Sequence, residues 1–213
     1  MSIAAVGTVG QIQAFPVDNP VLPEVTMARL SCFVSGMILF VASSLAAQGA
    51  GAPPSDAQKR AWIKEAMSAA PLHIAKDATI LAPGPDGQMM ELRHGTNGWT
   101  CFPDQPDTPG KDPMCIDEEG MKWASAWMAH DEKPGNTTPG LAYMLMGGSD
   151  ISANDPWAKA DKKTKFVASP PHYMVLWPFD PATTGLPAKP KRTGTWIMWA
   201  GTPYAHLMVN QVP

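Results

Sequence analysis

From Ser55 the chain alternates between two kinds of hydrophobic spacing. "SDAQKRAWIKEAMSAAP" carries Trp62, Ala66 and Ala69 at helical intervals, as it does Ile63 and Met67. Ser55 with Gln58 three residues on has the form of a capping box, and Pro71 stops the run. The pattern predicts a helix over 56–70. "DEEGMKWASAWMAH" predicts a second, over about 118–130. There Asp117, Glu118 and Glu119 place negative charge at the N-terminus, and Trp123 and Trp127, four apart, share a face. Elsewhere the runs are short and β-prone. "ATILA" and "QMMELR" flank the turn "PGPDG", and "HGTNG" leads into "WTCF", which predicts an antiparallel meander. "GLAYMLM", "HYMVLW", "TWIMWA" and "YAHLMV" follow, divided by loops rich in Gly, Pro and Asp. Two helices among six to seven short strands predict an α+β fold with a mostly antiparallel sheet.

The segment before Ser55 divides differently. Residues 1–26 have neither period and read as an unstructured leader or a misplaced start. From Met27, Arg29 supplies a positive n-region, "VSGMILFVASSLA" an apolar core, and Ser44 and Ala46 the small residues of a cleavage site. This is the layout of a secretory signal peptide over 27–46. The apolar run is short for a membrane span of about 20 residues. Cys32 precedes that run, which argues against a lipoprotein. The reading leaves 47–213 as a single domain, periplasmic or extracellular, with no membrane span after cleavage. Its 15 basic and 17 acidic residues give no electrostatic case for nucleic acid. Cys101 and Cys115 remain as an even pair in an oxidising compartment, so a disulfide is expected. The loop between them, "CFPDQPDTPGKDPMC", holds four prolines and a glycine, so neither helix nor regular strand can order it. Zinc or free thiols are the alternative use of the pair.

"GTNGWTCFPDQPDTPGKDPMC", "MKWASAWM", "SANDP", "PPHYM" and "MWAGTPYAHLMV" resemble the signature blocks of a family of small secreted bacterial proteins. The resemblance spans nearly all of 47–213 and implies export and one domain. It implies no activity.

Two patterns bear on chemistry. "PPHYMVLWP" and "AHLMVNQVP" both contain H-x-M-V before a proline. On strands, His172 and Met174 share one face, and so do His206 and Met208. Adjacent strands would let two imidazoles and two thioethers converge, a donor set suited to copper. Without metal they would line one pocket wall, or each histidine would bond at a sheet end while the methionines fill the core. "DISANDPWAKAD" places Asp150, Ser152, Asn154 and Asp161 at positions 1, 3, 5 and 12 of a calcium-loop template. Position 6 is Asp155, where that template needs glycine, and ordinary turn chemistry accounts for the same residues. There is no G-x-S-x-G, H-E-x-x-H or glycine-rich phosphate loop, hence no nucleotide cofactor.

These observations lead to a hydrolase of small esters or lactones that uses metal-bound or histidine-activated water. His172 and His206 would act as bases or ligands, Asp150, Asn154, Asp155 and Asp161 would supply oxygen to calcium, and His94 is a further ligand candidate. Copper or zinc are the other metals. The alternatives are an extracytoplasmic binding module for copper or a small apolar ligand, and a structural protein without a site. His73 and His130, at helix ends, read as solvated.

Overall fold

The computed structural model describes residues 52–211; the leader and signal-peptide readings lie outside them. Helix α1 spans Asp56–Met67 and is capped by Ser55, whose Oγ accepts the Gln58 amide at 3.2 Å. A turn at Ser68–Ala70 separates it from the short α2, Leu72–Ala75. The predicted single run to residue 70 thus ends three residues early, before Pro71. Strands β1 (Thr79–Pro83) and β2 (Met89–Arg93) form the hairpin expected around "PGPDG".

The next strand departs from the expected meander. β3 (Thr100–Phe102) pairs with β1, in parallel, and not with β2. The chain crosses the end of β1 through "HGTNG". A Cβ on Gly95 would lie 2.0 Å from the Thr79 nitrogen, so only glycine permits that approach. Arg93 fastens the crossing through its guanidinium, which donates to the Ala75 and Ala78 carbonyls.

β4 (Met114–Ile116) returns antiparallel to β3 and places Cys115 opposite Cys101. Their sulfurs are bonded and both residues are fully buried. The proline-rich loop is therefore closed at its base by one disulfide and one ladder. Replacing Cys115 with serine is expected to lower stability by about 3 kcal/mol, as chain entropy predicts for so short a loop. Equilibrium denaturation with and without reductant measures this; unchanged midpoints would show that the ladder alone holds the loop.

Helix α3 (Glu118–Met128) starts at Asp117, whose Oδ1 accepts the Gly120 amide at 2.7 Å. It is followed by β5 (Gly140–Met144), β6 (Gly148–Asp150), β7 (Val167–Ser169) and β8 (His172–Leu176). The four-residue α4 (Pro181–Thr184), β9 (Gly194–Met198) and β10 (His206–Asn210) complete the order. Eight strands form one sheet, β2-β1-β3-β4-β5-β8-β10-β9, in which β1–β3 is the parallel pair; β6 and β7 form a separate antiparallel ribbon. The fold is α+β with a mostly antiparallel sheet. It holds more strands than the six to seven expected, because the three-residue strands β4, β6 and β7 are too short to show a period.

The sheet is covered on both faces. Helix α1 with Ala66, and the turn after it with Ala69, lies against Ile80, Cys101 and Cys115. Helix α3 packs Trp123 and Ala126 on the other face, against Ala142, Met174, Met208 and Trp196. The H-x-M face of β8 and β10 is thus the core face. His172, Met174 and Leu176 are buried on β8, whereas Tyr173 and Val175 are half-buried.

Candidate functional site

The two histidines do not converge. β8 and β10 are adjacent and antiparallel, and Met174 stands opposite Met208 while His172 stands opposite Asn210. His206 is four residues along β10 from Asn210, so the two histidine backbones stand at opposite ends of the pair, about 13 Å apart along the strand axis. The repeated phase has a different use. Each histidine begins its strand, and each ring presents Nδ1 to the carbonyl two residues earlier: His172 to Pro170 at 2.7 Å, His206 to Tyr204 at 3.0 Å. The motif closes a strand entrance twice.

Their surroundings also differ. His206 is enclosed edge-on by Trp123 and Trp199, with ring centroids 5.3 and 4.9 Å away. Burial pushes its pKa down to about 4 against the opposing pull of the Tyr204 carbonyl, and the distant charge of His172 adds a smaller push the same way. Burial likewise lowers the pKa of His172. His94 lies elsewhere, exposed beside Glu91 with 3.5 Å between ring nitrogen and carboxylate.

The calcium template is not gathered around a common centre. The Ser152 Oγ accepts the amides of Asn154 and Asp155, and the Asp155 Oδ1 accepts that of Trp157. Asp161 turns its carboxylate onto the Lys163 amide and the Thr164 hydroxyl. Indoles hold the loop from outside. Trp199 donates to the Ser152 carbonyl at 2.9 Å, and Trp127 to the Pro156 carbonyl at 2.9 Å. Among the described residues no three of His, Cys, Asp and Glu are grouped to hold a metal ion.

Asp150 has a different neighbour. It ends β6, half-buried, and its carboxylate accepts no hydrogen bond among the described residues. Burial raises its pKa to about 7, and the charge of Asp112 adds to the rise. Asp112 comes from the disulfide-closed loop. Its amide donates to Asp104 Oδ1 at 2.7 Å, and its Oδ2 accepts the Thr108 hydroxyl. Its Oδ1 is buried and has no partner. Desolvation raises the Asp112 pKa and outweighs the Thr108 bond; Asp104 raises it further, and the nearby Ser149 backbone amide opposes the rise. Lys111, the adjacent cation, reaches away to Glu65.

Of these carboxylates Asp112 lines a cleft of about 440 Å³ between that loop and the β6–β7 ribbon; Asp150 and Asp104 are not among its lining residues. Asp112, Ser149 and Gly148 line it with Met146, Phe166 and Pro171. The Ser149 hydroxyl ties the two walls together by donating to the Pro109 carbonyl at 2.6 Å. His172 stands behind Gly148, where an added Cβ would come within 3.6 Å of the imidazole Cε1 and 2.8 Å of the Met144 methyl. His172, behind Gly148, and Asp150, next to Ser149, adjoin this cleft without lining it, and none of His206, His94, Asn154, Asp155 and Asp161 lines it. Sequence reasoning missed Asp112 and Asp104. The available signal was three aspartates within a single disulfide-closed loop, read only as a loop in need of closure.

A wider groove of about 610 Å³ runs along α3. Its cation, Lys122, is already paired with Glu118 and Glu119. Among the described residues no helix is long and apolar enough to cross a membrane. No protein-family model matches the chain, and no curated protein or solved structure does either.

Proposed function

We propose that this chain is an extracytoplasmic hydrolase of small neutral esters or lactones, with Asp112 and Asp150 as its acid–base pair. The observation that carries the reading is the Asp112 carboxylate on the wall of a partly apolar cleft, one of its oxygens unpartnered, with its charge acting on Asp150 at the end of the adjoining strand β6. Two carboxylates that repel one another and are short of solvent hold one proton between them more readily than none. Such perturbed pairs in clefts mark acid–base sites more often than structural ones. This moves water activation from the histidines to the carboxylates.

The step balances. Asp112 takes a proton from water as the water oxygen bonds to the acyl carbon. The acyl–oxygen bond then breaks, and Asp150 gives its proton to the departing oxygen. The pair returns to its starting state when Asp112 passes its proton to Asp150. The buried Cys101–Cys115 disulfide supports the oxidising setting, as does the resemblance to small secreted proteins.

A panel of small nitrophenyl esters and lactones tests the reading. Asp112→Asn is expected to lower kcat by 10²–10⁴-fold, the usual contribution of a general base, and Asp155→Asn to leave it unchanged. Rate should fall as pH rises through about 7, where Asp150 loses its proton. Turnover that survives in Asp112→Asn, or none on any of the panel, would refute the assignment.

A further inference from the structure

We infer that the Asp112–Pro113 peptide bond is a self-cleavage site, cut in mild acid by the Asp112 carboxyl acting on its own backbone carbonyl. The substrate is the chain itself, so the inference stands whether or not the cleft turns over an ester.

The chain has three Asp–Pro bonds, at 112–113, 155–156 and 180–181. All three share two chemical properties. The aspartate side chain can close a five-membered ring on its own carbonyl carbon, an attack with the advantage of a tethered nucleophile. The leaving nitrogen is proline's, a tertiary amide with no N–H and more basic than other peptide nitrogens.

The fold treats the three bonds differently. Asp155 and Asp180 are exposed, and each commits Oδ1 to the amide two residues on, Trp157 at 2.9 Å and Ala182 at 2.8 Å. A carboxylate oxygen held in such a turn is a weakened nucleophile. Asp112 is bonded through Oδ2, to the Thr108 hydroxyl, while its Oδ1 is buried with no partner. That oxygen is closed to an external ligand, but the electrophile it needs belongs to the same residue. The backbone around it is held. The Asp112 amide donates to Asp104 Oδ1, Pro113 is fully buried, and the Cys101–Cys115 bond closes the loop. Asp112 also lines the cleft, through which water reaches the product of the attack.

The step balances. Oδ1 bonds to the Asp112 carbonyl carbon, the bond from that carbon to the Pro113 nitrogen breaks, and the carboxyl proton passes to the nitrogen. One water then opens the cyclic anhydride and leaves a side-chain carboxyl and a new terminal carboxyl on Asp112. The attack starts from the protonated carboxyl. Burial keeps the proton on Asp112 toward higher pH; the Thr108 hydroxyl opposes this, Asp104 supports it, and the Ser149 amide opposes it. Of the other charged groups nearby, Asp150 on β6 carries like charge, Lys111 is turned to Glu65, and burial disfavours charge on His172. Cys101 and Cys115 flank the cut, so the two pieces stay joined. Scission frees one end of the loop that walls the cleft.

Incubation of the purified chain at pH 5, followed by intact mass and by electrophoresis with and without reductant, tests this. The expected products separate only after reduction, and the new N-terminus is Pro113. Cleavage there should run at least tenfold faster than at 155–156 or 180–181, which serve as controls within the same molecule. In guanidinium at the same pH, with the disulfide reduced, that preference should vanish. Asp112→Glu, which must close a larger ring, and Asp112→Asn should each slow scission at 112–113 at least tenfold. If either variant fails to fold, as circular dichroism would show, the comparison of the three bonds in the native wild type decides. Equal native rates at the three bonds would overturn the inference. So would a 112–113 bond that survives native incubation for as long as the denatured chain takes to be cut there, since the fold would then protect it.

Discussion

Asp150→Asn is expected to make the protein more stable at pH 8 while it removes the function of the cleft. The sign follows from the raised pKa. The native carboxyl titrates at about 7, and the unfolded one near 3.9. Between those values the native state binds more protons than the unfolded state, so this group's contribution is favourable in acid and is lost as pH rises through 7. Three units correspond to about 4 kcal/mol. An asparagine there still lacks a hydrogen-bond partner, which returns about 1–3 kcal/mol of that gain. The net gain at pH 8 is on the order of 1–3 kcal/mol. Thermal melts from pH 4 to 8 should show wild type and variant diverging steadily with pH. Parallel profiles would mean that Asp150 is not held protonated. A residue whose removal stabilises the fold is retained for some other purpose, here proton donation.

The second large effect is acid unfolding through His206. Its ring titrates at about 4 in the folded chain and near 6.5 when unfolded. A depressed pKa on a base means that stability is fully present above 6.5 and is lost as pH falls through 4. The full span is worth about 3 kcal/mol. Over pH 4–6.5 this slope opposes that of Asp150. Wild type should therefore show a shallow dependence there, and Asp150→Asn a steep one. Nuclear magnetic resonance checks the cause directly: the His206 ring should not titrate above pH 5. If it titrates near 6.5, the enclosure by Trp123 and Trp199 opens readily to water.

The fold class and both long helices could be read from the chain, because Ser55 and Asp117 cap recognisable periodic segments. The disulfide followed from two cysteines and a loop that no regular element could order. The parallel placement of β3 could not be read. It depends on how closely Gly95 passes Thr79, a tertiary contact with no local pattern. The histidine geometry was half legible. Period two put His172 and Met174 on one face correctly, but strand direction decides whether two such faces bring like ends together, and H-x-M-V says nothing of direction. Asp150 was visible as a carboxylate of interest, though its partner sits 38 residues earlier in a loop with no motif. Short-range spacing finds ligands within one loop and misses those assembled from two.

The order of strands at one end of the sheet has a kinetic consequence. β10 lies between β8 and β9, and β9 has β10 as its sheet partner. β9 therefore cannot add to the growing sheet when it emerges in chain order. It must wait for the segment that follows it, and joins with β10 as a hairpin or after β10 has paired with β8. Before that event the Met174 face of β8 lies bare, and with it Trp123 on α3. Refolding should show tryptophan fluorescence settling in the same slow phase as protection of the His206–Asn210 amides, after the β1–β2 hairpin is complete.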